Sequence, residues 1–132
     1  MKTIYFDGSP KGYCCCVIGS TVRLKKNSDL LDEIEFPRDF ITSTKSQRAE
    51  YLGLIWALMQ IYSYQNTVLI GDCENVILQM IGINKTRDYY LQRLQRYAKE
   101  FIETNALNVD FEYINRDDNL AGVELEKFLA RR

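Results

Sequence analysis

Histidine is absent from this 132-residue chain. That excludes a Ser-His-Asp triad, a Cys-His dyad, a histidine metal ligand and a histidine proton shuttle. Chemistry near neutral pH therefore falls to carboxylates, with metal ions to steady them. Three acidic residues stand where such a centre could be built. Asp7 closes the apolar run Ile4-Tyr5-Phe6, Asp72 closes Val68-Leu69-Ile70-Gly71, and Glu50 lies about one turn into a helical stretch between them. Three carboxylates at one spot repel, and without a cation one or more takes up a proton at raised pKa. A divalent ion removes that conflict, and all-oxygen ligands suit Mg²⁺ or Mn²⁺ rather than zinc. Two such ions about 4 Å apart can activate a water and stabilise the leaving oxygen of a phosphodiester. The ordinary reading of a single strand-end Asp is a cap or turn residue; three acids on one element order argue against it.

The elements that must gather these residues are legible in the apolar pattern. Residues 3–7 read as a buried strand ending in the turn cluster Asp7-Gly8-Ser9-Pro10-Lys11-Gly12, and 13–19 as its antiparallel neighbour. Residues 21–25 and 32–36 suggest a third strand, with a kink at Asn27-Ser28-Asp29. From Lys45 to Tyr64, Ala49, Leu52, Ile55, Trp56, Met59 and Tyr62 recur at helical spacing, with Ser46 a plausible N-cap. A strand over 67–71, a helix to about Ile81, a helix over 87–103, a strand over 108–115 and a terminal helix follow. A helical crossover after a meander lays the 67–71 strand parallel to the first. Asp7 and Asp72 then end about 5 Å apart at one sheet edge, where open α/β sheets bind ligands, and Glu50 overhangs it. The expected architecture is a five-stranded mixed α/β sheet, order 3-2-1-4-5, strand 2 antiparallel, with helices on both faces. It forms a single domain over residues 1–132.

Composition narrows the function. With 17 Lys+Arg against 18 Asp+Glu the net charge is −1, so a bulk electrostatic nucleic-acid binder is ruled out. An anionic partner must be held by a local basic patch or a metal. Such a cluster lies at Lys85, Arg87, Arg93, Arg96 and Lys99, with Tyr89, Tyr90 and Tyr97 interleaved. It reads either as a phosphate-tracking face or as a solvated helix surface. Arg23, Lys25 and Lys26 read as an edge-strand device against aggregation. Cys14, Cys15, Cys16 and Cys73 form no CxxC pair; they read as small buried hydrophobes, Cys14 and Cys16 facing one side of a strand and Cys15 the other. No membrane-length apolar run and no signal-peptide core is present, so a cytoplasmic, monomeric protein without membrane or organic cofactor is expected.

The chain resembles ribonuclease H of the short, single-domain type over nearly its whole length. Ile4-Tyr5-Phe6-Asp7-Gly8-Ser9 looks like that family's first-strand motif, and Ser46-Gln47-Arg48-Ala49-Glu50 is similar to its Asn-Asn-x-Ala-Glu helix start. Gly71-Asp72-Cys73-Glu74-Asn75-Val76 is similar to its Asp-Ser-x-x-Val motif, with Cys73 in place of Ser. Arg116-Asp117-Asp118-Asn119-Leu120-Ala121-Gly122 is similar to its closing Arg-x-x-Asn-x-Ala-Asp stretch. The resemblance implies cleavage of the RNA strand of RNA–DNA hybrids, with Asp7, Glu50 and Asp72 as catalytic metal ligands and two Mg²⁺ or Mn²⁺ ions. It also implies substrate contacts at Gly8, Ser9, Ser46, Gln47 and Glu74; for Ser46 and Gln47 simple helix capping is the plain alternative.

One departure matters. The family's fourth carboxylate is missing, because its position falls on Gly122 or Val123. Asp118 is a candidate substitute, or else an acid complementing the helix dipole. Without a substitute the second ion is held weakly, and Mn²⁺ is expected to serve better than Mg²⁺. Two other functions fit the pattern: a non-catalytic module of this fold that binds nucleic acid or protein, and a nuclease on branched or single-stranded DNA.

Overall fold

Alternating burial of Ile4, Phe6 and Gly8 marks strand β1 (Lys2–Gly8). The computed structural model describes residues 1–37 and 46–132. Strands β2 (Tyr13–Ile18) and β3 (Thr21–Lys26) follow, then helices α1 (Asn27–Glu33) and α2 (Ser46–Leu58). Next come β4 (Asn66–Gly71), α3 (Glu74–Met80), α4 (Tyr89–Thr104) and β5 (Asn108–Tyr113). A 3₁₀ turn (Arg116–Asp118) leads into α5 (Leu120–Ala130). The sheet order is β3-β2-β1-β4-β5. β2 runs antiparallel to both its neighbours, while β1, β4 and β5 are parallel. The expected topology is therefore the observed one.

Two layers cover the sheet. On one face α2 is buried on nearly every side and packs with Ile4, Phe6, Cys14, Cys16, Leu30, Leu31 and Leu69. On the other face α5 lays Ala121 and Leu125 on Cys15 and Val17. The cysteines divide between the faces as their spacing predicts.

Three expectations need correction. Residues 32–36 form no strand; Asn27–Glu33 is helical, because Leu30, Leu31 and Ile34 drop into the core. That helix stops without glycine. Glu35 takes φ 59, and the Glu35 and Phe36 amides donate back to the Asp32 and Leu31 carbonyls, the bonding pattern of a Schellman cap. Helix α2 ends at Leu58, so Met59 and Tyr62 lie past it; its expected start at Lys45 lies outside the described residues. Helix α4 starts at Tyr89, where the Asp88 carboxylate accepts from the Tyr90 and Leu91 amides. Among the described residues no helix is long and apolar enough to cross a membrane.

Candidate active site

Two glycines set the distance between β1 and α2. A Cβ on Gly8 would lie 1.8 Å from the Ala49 carbonyl oxygen, and one on Gly53 would lie 2.5 Å from the Asp7 carbonyl oxygen. Only bare backbone permits this contact, and it delivers Glu50 to the end of β1. The Gly8 amide donates to Glu50 Oε1 at 3.4 Å. Parallel pairing of β1 and β4 brings Asp72 to the same edge. One carboxylate oxygen from each of Asp7, Glu50 and Asp72 lies within 4.8 Å of the other two.

The electrostatics are those of a site short of positive charge. Glu50 is buried, and its pKa is pushed well above the usual carboxylate range by burial, by its hydrogen bond with Asp7, and by the charges of Asp7 and Asp72. Its Oε2 has no hydrogen-bond partner among the described protein groups, and a cation or a proton shared with Asp7 would satisfy it. Burial and the charge of Asp7 also raise Asp72, offset in part by a hydrogen bond from Asn119 and the charge of Arg116. The donor set and the orphaned oxygen fit a hard divalent cation.

Asn119, which the closing motif contains without assigning it a role, is a positioning residue. It is fully buried, and its Nδ2 donates to the Phe6 carbonyl and to Asp72 Oδ2, both at 3.0 Å. Its Oδ1 accepts the Ala121 amide and so caps α5. One side chain thus ties together β1, the Asp72 carboxylate and α5. That cap places Gly122 at the site: a Cβ there would lie 3.3 Å from Asp7 Oδ2 and 3.4 Å from Asp72 Oδ2. Gly122, one of the two residues on which the resemblance sets a fourth carboxylate, therefore faces the cluster. Asp118 does not supply that carboxylate. It is exposed in the 3₁₀ turn, outside the carboxylate cluster, and does not line the groove; Asp117 and Glu126 do.

The carboxylates lie in an open groove of about 1000 Å³, which also takes in Gly8, Ser9, Ser46 and Cys73. Arg116, Lys11 and Arg132 supply its cations. Gln47, half-buried, is not on its wall, and neither is Glu74. The turn at Ser9 is held from α1, for the buried Asn27 donates Nδ2 to the Ser9 carbonyl at 2.8 Å. Nothing in the sequence signalled that contact. Burial raises the Cys73 thiol, which stays protonated at neutral pH. The basic helix α4 is partly structural: Arg93 stacks on Phe36, 4.9 Å from the ring centroid, and Tyr97 packs on Phe36 and Phe101. Arg96 and Lys99 are exposed.

A family profile described as reverse transcriptase-like matches residues 19–126. The chain belongs to that family. Among solved structures, ribonuclease H1 of the archaeon Halobacterium salinarum NRC-1 is 21% identical, with a TM-score of 0.70 over 99% of this chain and 98% of that one. A ribonuclease H1 recovered from compost is 19% identical at TM-score 0.68, covering 97% of each chain. The same compost enzyme in complex with an RNA/DNA hybrid gives 0.67 at 18% identity, over 98% and 99%. The fold is that of ribonuclease H, with an open sheet. No curated protein sequence matches this one.

Proposed function

We propose that the chain is a divalent-metal-dependent endonuclease that hydrolyses the RNA strand of RNA–DNA hybrids. The observation that carries this reading is the cluster of Asp7, Glu50 and Asp72 oxygens within 4.8 Å, in a ribonuclease H fold. A neighbour of that fold has been captured with an RNA/DNA hybrid, which supports the substrate class.

Asp7, Glu50 and Asp72 are the residues that would hold Mg²⁺ or Mn²⁺. Bound there, two such ions would supply the Lewis acidity that phosphodiester hydrolysis needs. The protein's own work is preorganisation. Asn119 fixes the Asp72 carboxylate, the Gly8 amide fixes Glu50, and the β1–α2 backbone contact holds the two ends together. Arg116, Lys11 and Arg132, which line the groove, face backbone phosphates with positive charge. Ser9, whose turn is pinned by Asn27, and Ser46 offer polar contacts on the groove wall, where a ribose 2′-hydroxyl must be sensed.

Gly122 favours a second reading, a non-catalytic nucleic-acid-binding module, since it leaves the fourth ligand position without an oxygen. One assay separates the readings. Labelled hybrid, duplex DNA, duplex RNA and a four-way junction are offered with Mg²⁺ or Mn²⁺, with Asp7→Asn as control. Cleavage of hybrid alone, by wild type and not by the variant, is the expected result. Binding without cleavage in either ion at low salt selects the module, and junction or DNA cleavage alone selects a different nuclease.

A further inference from the structure

A second cavity, of about 530 Å³, lies at the opposite end of β1 and shares no lining residue with the carboxylate groove. Lys2 on its rim is five residues from Asp7 along the strand, roughly 17 Å away. Lys2 and Arg23 give it two cations, Thr21 and Gln60 polar groups, and Met59 and Tyr62 an apolar wall. No acidic residue lines it, and neither cation forms an ion pair among the described residues. In a chain of net charge −1 that is a local excess of positive charge, with no carboxylate among the described residues paired to it.

The tyrosine wall is also unusual. Tyr62 and Tyr64 are 61% and 81% exposed, yet their rings stack on each other with centroids 5.8 Å apart and planes 14° from parallel. A turn holds them there: the Gln65 amide donates to the Tyr62 carbonyl at 3.0 Å. The pair is a preformed aromatic face next to two cations that form no ion pair among the described residues. Every nucleobase has a π-face that stacks on such a ring, and its phosphate needs a cation within reach. The cavity volume is in the range of small-ligand sites.

We propose that this cavity takes one unpaired nucleotide of a single-stranded nucleic-acid segment, its base against Tyr62 and its phosphate between Lys2 and Arg23. The choice of ligand rests on the hybrid-nuclease reading, and its consequence there is tighter binding of hybrids that carry a single-stranded tail.

The test is fluorescence anisotropy of the full chain in EDTA, which prevents cleavage, with three probes: a short labelled single strand, a blunt hybrid, and the same hybrid with a single-stranded tail. Wild type should bind the strand and prefer the tailed hybrid. Tyr62→Ala should weaken strand binding about tenfold, the scale of one lost base–aromatic stack, and Tyr62→Phe should restore it. Lys2→Ala with Arg23→Ala should weaken it similarly. Blunt-hybrid cleavage, measured in parallel with metal, should be unchanged in all of them, which also shows that the variants fold. Equal strand binding by wild type and Tyr62→Ala overturns the proposal. So does equal binding of an abasic strand or of an acidic peptide, since a bare charge patch or a protein-docking surface would then explain the cavity. Loss of hybrid cleavage in wild type with strand binding intact defeats the nuclease reading and leaves this site standing.

Discussion

Replacing Gly122 by aspartate tests the geometry of the carboxylate cluster directly. The new Cβ would lie 3.3 Å from Asp7 Oδ2 and 3.4 Å from Asp72 Oδ2, so its carboxylate joins theirs. At about 4 Å and an effective dielectric near 20, each ionised pair costs on the order of 4 kcal/mol. Protonating an ordinary carboxyl at pH 7 also costs about 4 kcal/mol, so proton uptake caps the penalty near that figure. Removing glycine from a helix interior returns less than about 1 kcal/mol. The metal-free variant should therefore lose on the order of 3 kcal/mol, a fall of roughly 10 °C in Tm for a domain of this size. Saturating Mn²⁺ should reverse the loss, raising the Tm of Gly122→Asp by more than it raises that of wild type. Gly122→Asn, of equal size without charge, should show neither effect. If the Asp and Asn variants melt alike in EDTA, and Mn²⁺ shifts both as it shifts wild type, Gly122 does not face the carboxylates and the reasoning fails.

Four further outcomes are expected. Because Glu50 is held above the usual carboxylate range, the folded state keeps its proton to higher pH than the unfolded chain, and stability falls as pH rises through that window. In EDTA, Glu50→Gln should thus be more stable than wild type at pH 7 by about 1–3 kcal/mol, with the gap closing near pH 4; urea melts that rank wild type higher at pH 7 contradict this. Gly53→Ala drives a methyl to 2.5 Å from the Asp7 carbonyl, so it should cost about 1–3 kcal/mol in urea melts and weaken Mn²⁺ binding as Glu50 moves away. Asn119→Ala removes the α5 cap and the Asp72 hydrogen bond together; a loss of about 2 kcal/mol with reduced Mn²⁺ affinity is expected, and unchanged affinity in calorimetry would deny its positioning role. Hybrid cleavage should run faster in Mn²⁺ than in Mg²⁺, since three carboxylates leave the second ion loosely held; equal rates at low millimolar ion would refute that.

Much of this was legible in the sequence because the signals are local. Strands β1, β2 and β4 carry apolar runs and β5 alternates with period two, and the two strand-end aspartates sit at the ends of runs whose parallel pairing follows from the crossover. What stayed hidden depends on contacts between distant segments or on an unusual backbone. Residues 32–36 read as strand because Glu33-Ile34-Glu35-Phe36 alternates in polarity and Glu35, not glycine, takes the left-handed stop after the helix. Gly53 in mid-helix looks only like a propensity cost until the Asp7 carbonyl is seen against it. The choice between Gly122 and Val123 is a one-residue ambiguity that the Asn119 cap resolves. Asp118 reads as a substitute because its distance along the chain does not show that the 3₁₀ turn carries it outward.

In the proposed function, Asp7, Glu50 and Asp72 together bind hard divalent cations. Electron paramagnetic resonance of Mn²⁺ titrated into the metal-free protein measures this most directly. Saturable binding, abolished by Asp72→Asn and displaced by Mg²⁺, is the predicted result. Mn²⁺ that remains free in solution at millimolar protein, or bound Mn²⁺ that Asp72→Asn leaves undisturbed, would contradict the account.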